Sequence, residues 1–284
     1  MKTKTYTKVS KKLLNNFLSE TKSLRRTILR SIYRAQASHI ASAFSVVDII
    51  YYLYTNILKI DPKQPNKPDR DRFVLSKGWA ASAQYAVLAR MGFFSEDFLI
   101  KNYCADGSPF IGITTLSGVP GIEATTGSMG HGLSIGIGMA IAGKKNPKPY
   151  RTFVLISDGE LDEGSIWEGI FFAGHHKLDN LVVIIDYNKL QSFGAVKEIL
   201  DPEPLKDKLQ AFKWSVKEIN GHDLSDMEKV FSKIPFEKGK PSFIIAHTVK
   251  GKGCRLWRTT MPGIIKRPIK KISRQPLKNF RHEN

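Results

Sequence analysis

The side chains best placed to do chemistry lie between Ser157 and Gln191: an Asp158-Gly159 pair and, about one helix further along the chain, Asn188. Phe153-Val154-Leu155-Ile156 precedes Asp158 and Leu181-Val182-Val183-Ile184-Ile185 precedes Asn188, and both apolar runs read as buried strands. Between them Ile166, Ile170 and Phe171 recur at helical spacing, with Trp167 alongside. The pattern predicts a β-α-β unit whose right-handed crossover puts both strands in one parallel sheet. Asp158 and Asn188 then emerge at the same carboxyl edge, where open α/β sheets bind their ligands. One anionic and one neutral side-chain oxygen, completed by a backbone carbonyl, suit Mg²⁺ already held by a diphosphate. Gly159 lets the backbone approach a phosphate with no Cβ in the way. Most isolated Asp-Gly pairs only mark turns. Asp-Gly and Asn at two successive strand ends, with Glu163 following, form a rarer pattern.

The elements that must position these groups can be read on either side. Residues 23–36 carry Leu24, Ile28 and Ile32 at i, i+4 and i+8, an amphipathic helix. A turn from Ala37 to Ser42 leads into a second helix over 45–58, with Val46, Ile49, Ile50 and Leu53 facing inward. Thr125-Thr126-Gly127-Ser128-Met129 forms a glycine-bearing loop at a helix start, where free amides and the helix dipole favour a phosphate. The helix that follows shows Gly132, Gly136 and Ala140 four residues apart, a smooth face for close packing. Phe243-Ile244-Ile245-Ala246 reads as a further parallel strand, followed by a loop containing Lys250.

Composition bounds the class. A chain of 284 residues can bury one large core, with or without a tail. Its two cysteines, Cys104 and Cys254, form no CxxC pair, so neither a zinc site nor a redox dithiol is indicated, which fits a reducing cytoplasm. No apolar stretch is expected to approach the roughly 20 residues of a membrane span, and no signal-type run follows the basic N-terminus. The net charge of +18 is concentrated at the ends: +9 over residues 1–34, +8 over residues 255–284 and +1 over the rest. A near-neutral body argues against a nucleic-acid function, since no basic stripe crosses it. The expected divisions are a basic N-terminal segment (1–22), a ligand-binding domain (23–253) and a basic tail (254–284).

The Asp158-Gly159…Asn188 pattern resembles the thiamine-diphosphate motif, and specifically its transketolase version. The resemblance runs from about residue 23 to 253 and implies an α/β fold, a doubly wound parallel sheet with helices on both faces. It implies thiamine diphosphate as cofactor, with Mg²⁺ or Ca²⁺ held by Asp158, Asn188 and the Leu190 carbonyl. His39 matches a histidine that contacts substrate, and Ser42 a hydroxyl that contacts the cofactor. Gly127, Ser128 and Met129 match the loop that touches the diphosphate, and Lys250 matches a lysine near it. In the family the glycine-faced helix also packs in a dimer core.

The resemblance covers only half of the family's enzyme. The domain that binds the aminopyrimidine and supplies the activating glutamate has no counterpart here. This implies a separate C-terminal subunit, a dimer of heterodimers, and a role for Glu163 at the interface relaying protons to the partner. The implied reaction moves a two-carbon ketol unit from a ketose phosphate or modified sugar to an aldose.

Three departures bear on this reading. Asp71-Arg72-Phe73-Val74-Leu75-Ser76-Lys77-Gly78 follows the family pattern but continues with Trp79, where the family has an active-site histidine. Gly112-Ile113-Thr114 stands where the family has Gly-His-Pro. Neither Trp79 nor Ile113 can relay a proton, which points to an unusual, less polar donor or to a catalytically impaired subunit. Lys250-Gly251-Lys252-Gly253 also resembles an element of deoxyxylulose-phosphate synthases, which implies acyl-type transfer as a related alternative. After Gly253 the resemblance ends, and the synonymous codons open to residues 253–280, read two nucleotides further on, permit a family-like Trp-His pair and an acidic amphipathic ending. The tail therefore reads as frame-shifted.

Overall fold

The computed structural model describes residues 9–254. Its frame is a five-stranded, wholly parallel sheet in the order β1-β2-β3-β5-β4. The strands are β1 (Arg72–Leu75), β2 (Thr152–Ser157), β3 (Leu181–Tyr187), β4 (Ser215–Asn220) and β5 (Ser242–His247). The apolar runs read from sequence are the cores of β2, β3 and β5, each extended by one or two residues at its ends. Leu155 pairs with Ile184, and Ile184 with Ile244, so the β-branched runs lie side by side at the centre of the sheet.

Alternation along these strands divides the interior in two. Phe73, Leu75, Phe153, Leu155, Val182, Ile184 and Ile244 face a layer of α1 (Lys11–Ala35), α2 (Ile40–Tyr52), α3 (Ala81–Arg90), α4 (Glu96–Asn102) and α9 (Leu224–Phe231). Val74, Val154, Ile156, Val183, Ile185, Phe243 and Ile245 face α5 (His131–Lys145), α6 (Gly164–His175) and α8 (Leu205–Ala211). A short α7 (Val196–Ile199) follows β3. The α/β architecture with helices on both faces is thus the one expected, and burial on both faces explains why the central strands read as unbroken apolar runs.

Three helix expectations need correction. The first helix starts at Lys11 rather than Ser23, with Ser10 Oγ accepting from the Leu13 amide at 3.2 Å, because its buried stripe continues upstream through Thr21 to Phe17. The second begins at Ile40 rather than 45, so Ser42 is helical, and it ends in a widened turn over Leu53–Ile57. Ile40–Ile57 is also long and apolar enough, at 18 residues, to cross a membrane by composition, contrary to expectation. It is 78% buried inside the fold, the position of a core helix.

The glycine stripe of α5 has a local cause. A Cβ on Gly132 would lie 2.3 Å from Ser76 Oγ, and one on Gly136 2.3 Å from Val154 Cγ2. The missing side chains let α5 lie directly on β1 and β2. The tail expected to be frame-shifted lies outside the described residues.

Candidate functional site

The carboxyl ends of four contiguous strands build the site. β1 leads to Lys77, β2 to Asp158, β3 to Asn188 and β5 to Lys250. These groups and the turns around them enclose a cleft of about 340 Å³. His39, Ser42, Gly127, Met129, Asp158, Gly159, Asn188, Leu190 and Lys250, all predicted from sequence, line it together. Ser128 is exposed outside the lining, and Glu163 sits at the N-terminus of α6, also outside it.

Asp158 opens a single 3₁₀ turn, Asp158–Asp162, beyond β2. Its Oδ1 accepts from the Gly159 amide at 3.0 Å and its Oδ2 from the Lys189 amide at 2.6 Å, which ties the two strand ends together. Beneath it the buried Glu160 carboxylate accepts from Ser157 N at 2.8 Å and from the Ser76 hydroxyl, fixing the turn. The Asn188 amide nitrogen donates to Asp186 Oδ2 at 3.1 Å, while its Oδ1 accepts from the Leu190 amide at 3.2 Å. Lys250 Nζ donates to the Leu190 carbonyl at 2.8 Å. The three oxygen donors expected for a metal ion therefore stand at one sheet edge.

Asp186, absent from the sequence reading, anchors this edge from below. It is fully buried and paired with Lys77; Ser45 Oγ donates to it at 2.7 Å, and Thr248 Oγ1 also donates to it. A charged residue ending the apolar run of β3 was the available signal. Burial, and then the Asp186 charge, push the Asp158 carboxyl up to about 6, against the pull of Lys77 and Lys250. Burial pushes the Lys250 ammonium down to about 8, and Lys77 adds to this while Asp158 and Asp186 oppose it. Burial, then Lys250 and Lys77, also lower His39. His39 has a left-handed backbone (φ 68°) at the start of α2, and Ser38 Oγ lies 2.8 Å from its Nδ1.

Opposite this edge, two loops stack backbone to backbone. A Cβ on Gly78 would lie 2.5 Å from the Gly127 nitrogen, and Gly127 has φ 113°, a conformation that favours glycine. Trp79 and Ile113 line the cleft on this side, with Ile113 packed on Gly127. Gln191, Ser192 and the exposed Phe193 complete the rim; the sequence reading had not singled them out.

The residues present fit a magnesium diphosphate. Ser42 Oγ is buried in the cleft wall with no hydrogen-bond partner, an orphan that a ligand oxygen would satisfy. Among the described residues no group of three or more His, Cys, Asp or Glu could hold a metal ion. A divalent cation here needs further oxygens from an anion, as Mg²⁺ sites on phosphates do.

A carboxylate, an amide oxygen and two lysines thus gather beside glycine-bearing turns at the carboxyl edge of a parallel sheet, the place where open α/β proteins bind their ligands. The family described as "Transketolase, thiamine diphosphate binding domain" matches residues 19–262, and the chain belongs to that family. It is 42% identical over 229 residues to one of the subunits of an apulose-4-phosphate transketolase from Phocaeicola vulgatus, covering 81% of each chain. It is 39% identical over 230 residues to a 6-deoxy-6-sulfo-D-fructose transketolase subunit of a Clostridium species, covering 81% of this chain and 83% of that one. Among solved structures, the transketolase of Leishmania mexicana superposes with a TM-score of 0.77 at 29% identity over 84% of this chain. The Campylobacter jejuni transketolase gives 0.81 at 28% identity over 90% of this chain. This chain spans 37% and 41% of those two proteins, respectively.

Proposed function

We propose that this chain is the diphosphate-binding subunit of a two-subunit transketolase that transfers a two-carbon ketol unit from a ketose phosphate or modified sugar to an aldose. The observation that carries the reading is the convergence of Asp158, Asn188 Oδ1 and the Leu190 carbonyl beside Lys250, with the orphaned Ser42 hydroxyl in the same cleft. The relatives named as subunits match this chain over four-fifths of their length, whereas the one-chain transketolases are more than twice as long. A C-terminal, pyrimidine-binding partner in a dimer of heterodimers, working in the cytoplasm, follows from that reading.

Asp158, Asn188 and Leu190 would hold Mg²⁺ or Ca²⁺. Lys250 would balance part of the diphosphate charge while Lys77 neutralises Asp186 beneath it, Gly159 and Gly127 would leave room for the diphosphate, and the Ser42 hydroxyl would donate to it. When bound, thiamine diphosphate supplies an electron sink for the carbanion of the transferred fragment. His39 holds or moves a proton at a sugar hydroxyl, and the lowering of its pKa by burial and two lysines keeps it able to accept one. Glu163, at the head of α6, meets the partner's activating carboxylate.

Trp79 and Ile113 make one wall of the cleft apolar. The polar group on these two side chains is the Trp79 indole N–H, which donates but cannot accept or relay a proton, so the wall disfavours a donor substrate that needs an acceptor at that point and suits a less polar or modified one. The same wall favours a second reading, a cofactor-binding subunit with impaired transfer. Co-production with a pyrimidine-domain partner, followed by assay against phosphorylated and modified ketoses, separates them: turnover with a modified donor supports the first, and cofactor binding without turnover the second. Efficient use of an ordinary ketose phosphate contradicts the altered-donor element.

A further inference from the structure

We infer that Arg25, Asp48 and His222 form a positioning clamp for the loop that carries Lys250, and so set where that ammonium stands in the cleft. This rests on the cofactor reading above. None of the three lines the cleft. Arg25 comes from α1, Asp48 from α2 and His222 from the turn between β4 and α9, with side chains only 6%, 5% and 7% exposed.

The hydrogen bonds run in one direction. Arg25 Nη1 and Nη2 donate to the two Asp48 oxygens, each at 2.8 Å, a bidentate pair. His222 Nδ1 lies 2.6 Å from Asp48 Oδ2. The Val249 amide, which can only donate, points at His222 Nε2 at 2.9 Å. His222 Nε2 is therefore the acceptor, so the ring carries its proton on Nδ1 and gives it to Asp48 in a hydrogen bond. Burial favours a neutral Asp48, but Arg25 and the His222 hydrogen bond overcome it and hold the carboxyl far below the usual carboxylate range. Asp48 thus fixes the imidazole tautomer that can receive the Val249 amide.

Arg25 reaches the same loop from its other side. Its Nε donates to the Lys252 carbonyl at 2.9 Å, and the Gly251 amide donates to the Ala41 carbonyl at 3.1 Å. Residues 249, 251 and 252 are each anchored, and Lys250 stands between them. A buried ionic triad is a poor source of stability compared with apolar packing. Here its outward hydrogen bonds converge on one short segment, and that segment carries a cleft cation. Groups that orient a ligand-binding side chain from behind influence affinity through it.

The test uses the full chain with magnesium pyrophosphate as probe, titrated calorimetrically. His222→Ala is expected to weaken binding about 10–100-fold, the usual range for such supporting groups. His222→Gln, whose amide oxygen can still accept from Val249, restores most of the affinity. On a Lys250→Met background, His222→Ala has no further effect, because the clamp acts through Lys250. Additive losses, or a Gln variant as weak as Ala, overturn the proposal. Amide hydrogen exchange of the ligand-free chain gives a readout independent of binding. Val249 and Gly251 should exchange at least about tenfold faster in His222→Ala while β2 and β3 stay protected. Unchanged exchange at those two amides overturns the clamp. If magnesium pyrophosphate binds neither the wild-type chain nor its assembly with a pyrimidine-domain partner, the cofactor reading falls, and the exchange result alone decides the clamp.

Discussion

Lys250 Nζ donates to the Leu190 carbonyl at 2.8 Å, so a protein cation already stands against one of the oxygens proposed for the metal ion. Among the described residues Asp158 is the only carboxylate lining the cleft. Mg²⁺ alone should therefore bind weakly, and a diphosphate should strengthen its binding by about 100-fold or more, because the anion supplies oxygens and draws Lys250 toward itself. Calorimetric titration of Mg²⁺ with and without inorganic pyrophosphate checks this; equal affinities in both runs would show a metal site independent of the anion.

Lys77 and Asp186 form an ion pair whose side chains are 2% and 0% exposed. Lys77→Met leaves Asp186 charged and buried with only neutral donors, and should destabilise the chain by about 3–5 kcal/mol. Urea denaturation should show the midpoint falling. Adding Asp186→Asn should recover part of the loss, since no unpaired charge then stays buried.

Two glycines of α5 should respond in opposite directions. Gly136→Ala drives a Cβ to within 2.3 Å of Val154 Cγ2 and should cost about 1–3 kcal/mol as the helix lifts from the sheet. Gly138 has open space around it, and Gly138→Ala should stabilise by up to about 1 kcal/mol through helix propensity. Thermal melts of the two variants against wild type measure both signs.

Asp48 gives stability an acid-side dependence. Arg25 and His222 lower its folded-state pKa below the unfolded value despite burial, so the unfolded state binds its proton more readily. Its contribution is complete above the ordinary carboxylate range, about pH 4, and is lost as pH falls toward the folded value. Asp48→Asn should flatten that part of the stability curve below about pH 4. An unchanged acid slope in urea melts from pH 5 to pH 2 would argue against it.

Much of the fold was legible because parallel strands buried on both faces leave continuous apolar runs, as in β2, β3 and β5. β4 escaped because it is an edge strand: Lys217, Glu218 and Asn220 are exposed, and only Val216 and Ile219 are buried. The first turns of α1 were missed although Leu13, Leu14, Phe17 and Leu18 stand there at helical spacing; of these four only Phe17 is buried, packed against Tyr51, so the apolar pattern and the core contacts part company. At the site, Asp158 and Asn188 announced themselves by standing at successive strand ends. Lys77 and Asp186 lie 109 residues apart, and Asp48 and His222 174 apart. Pairings of that span leave no periodicity to read; only the sheet order brings them together.

The central claim is a cofactor site built on Asp158. The most direct measurement is Mg²⁺-dependent binding of thiamine diphosphate to this chain assembled with a pyrimidine-domain partner, compared with the same assembly carrying Asp158→Ala. The expected result is saturable binding that requires the metal and weakens about 100-fold or more in the variant. Absence of binding, or binding indifferent to both Mg²⁺ and Asp158, would contradict it.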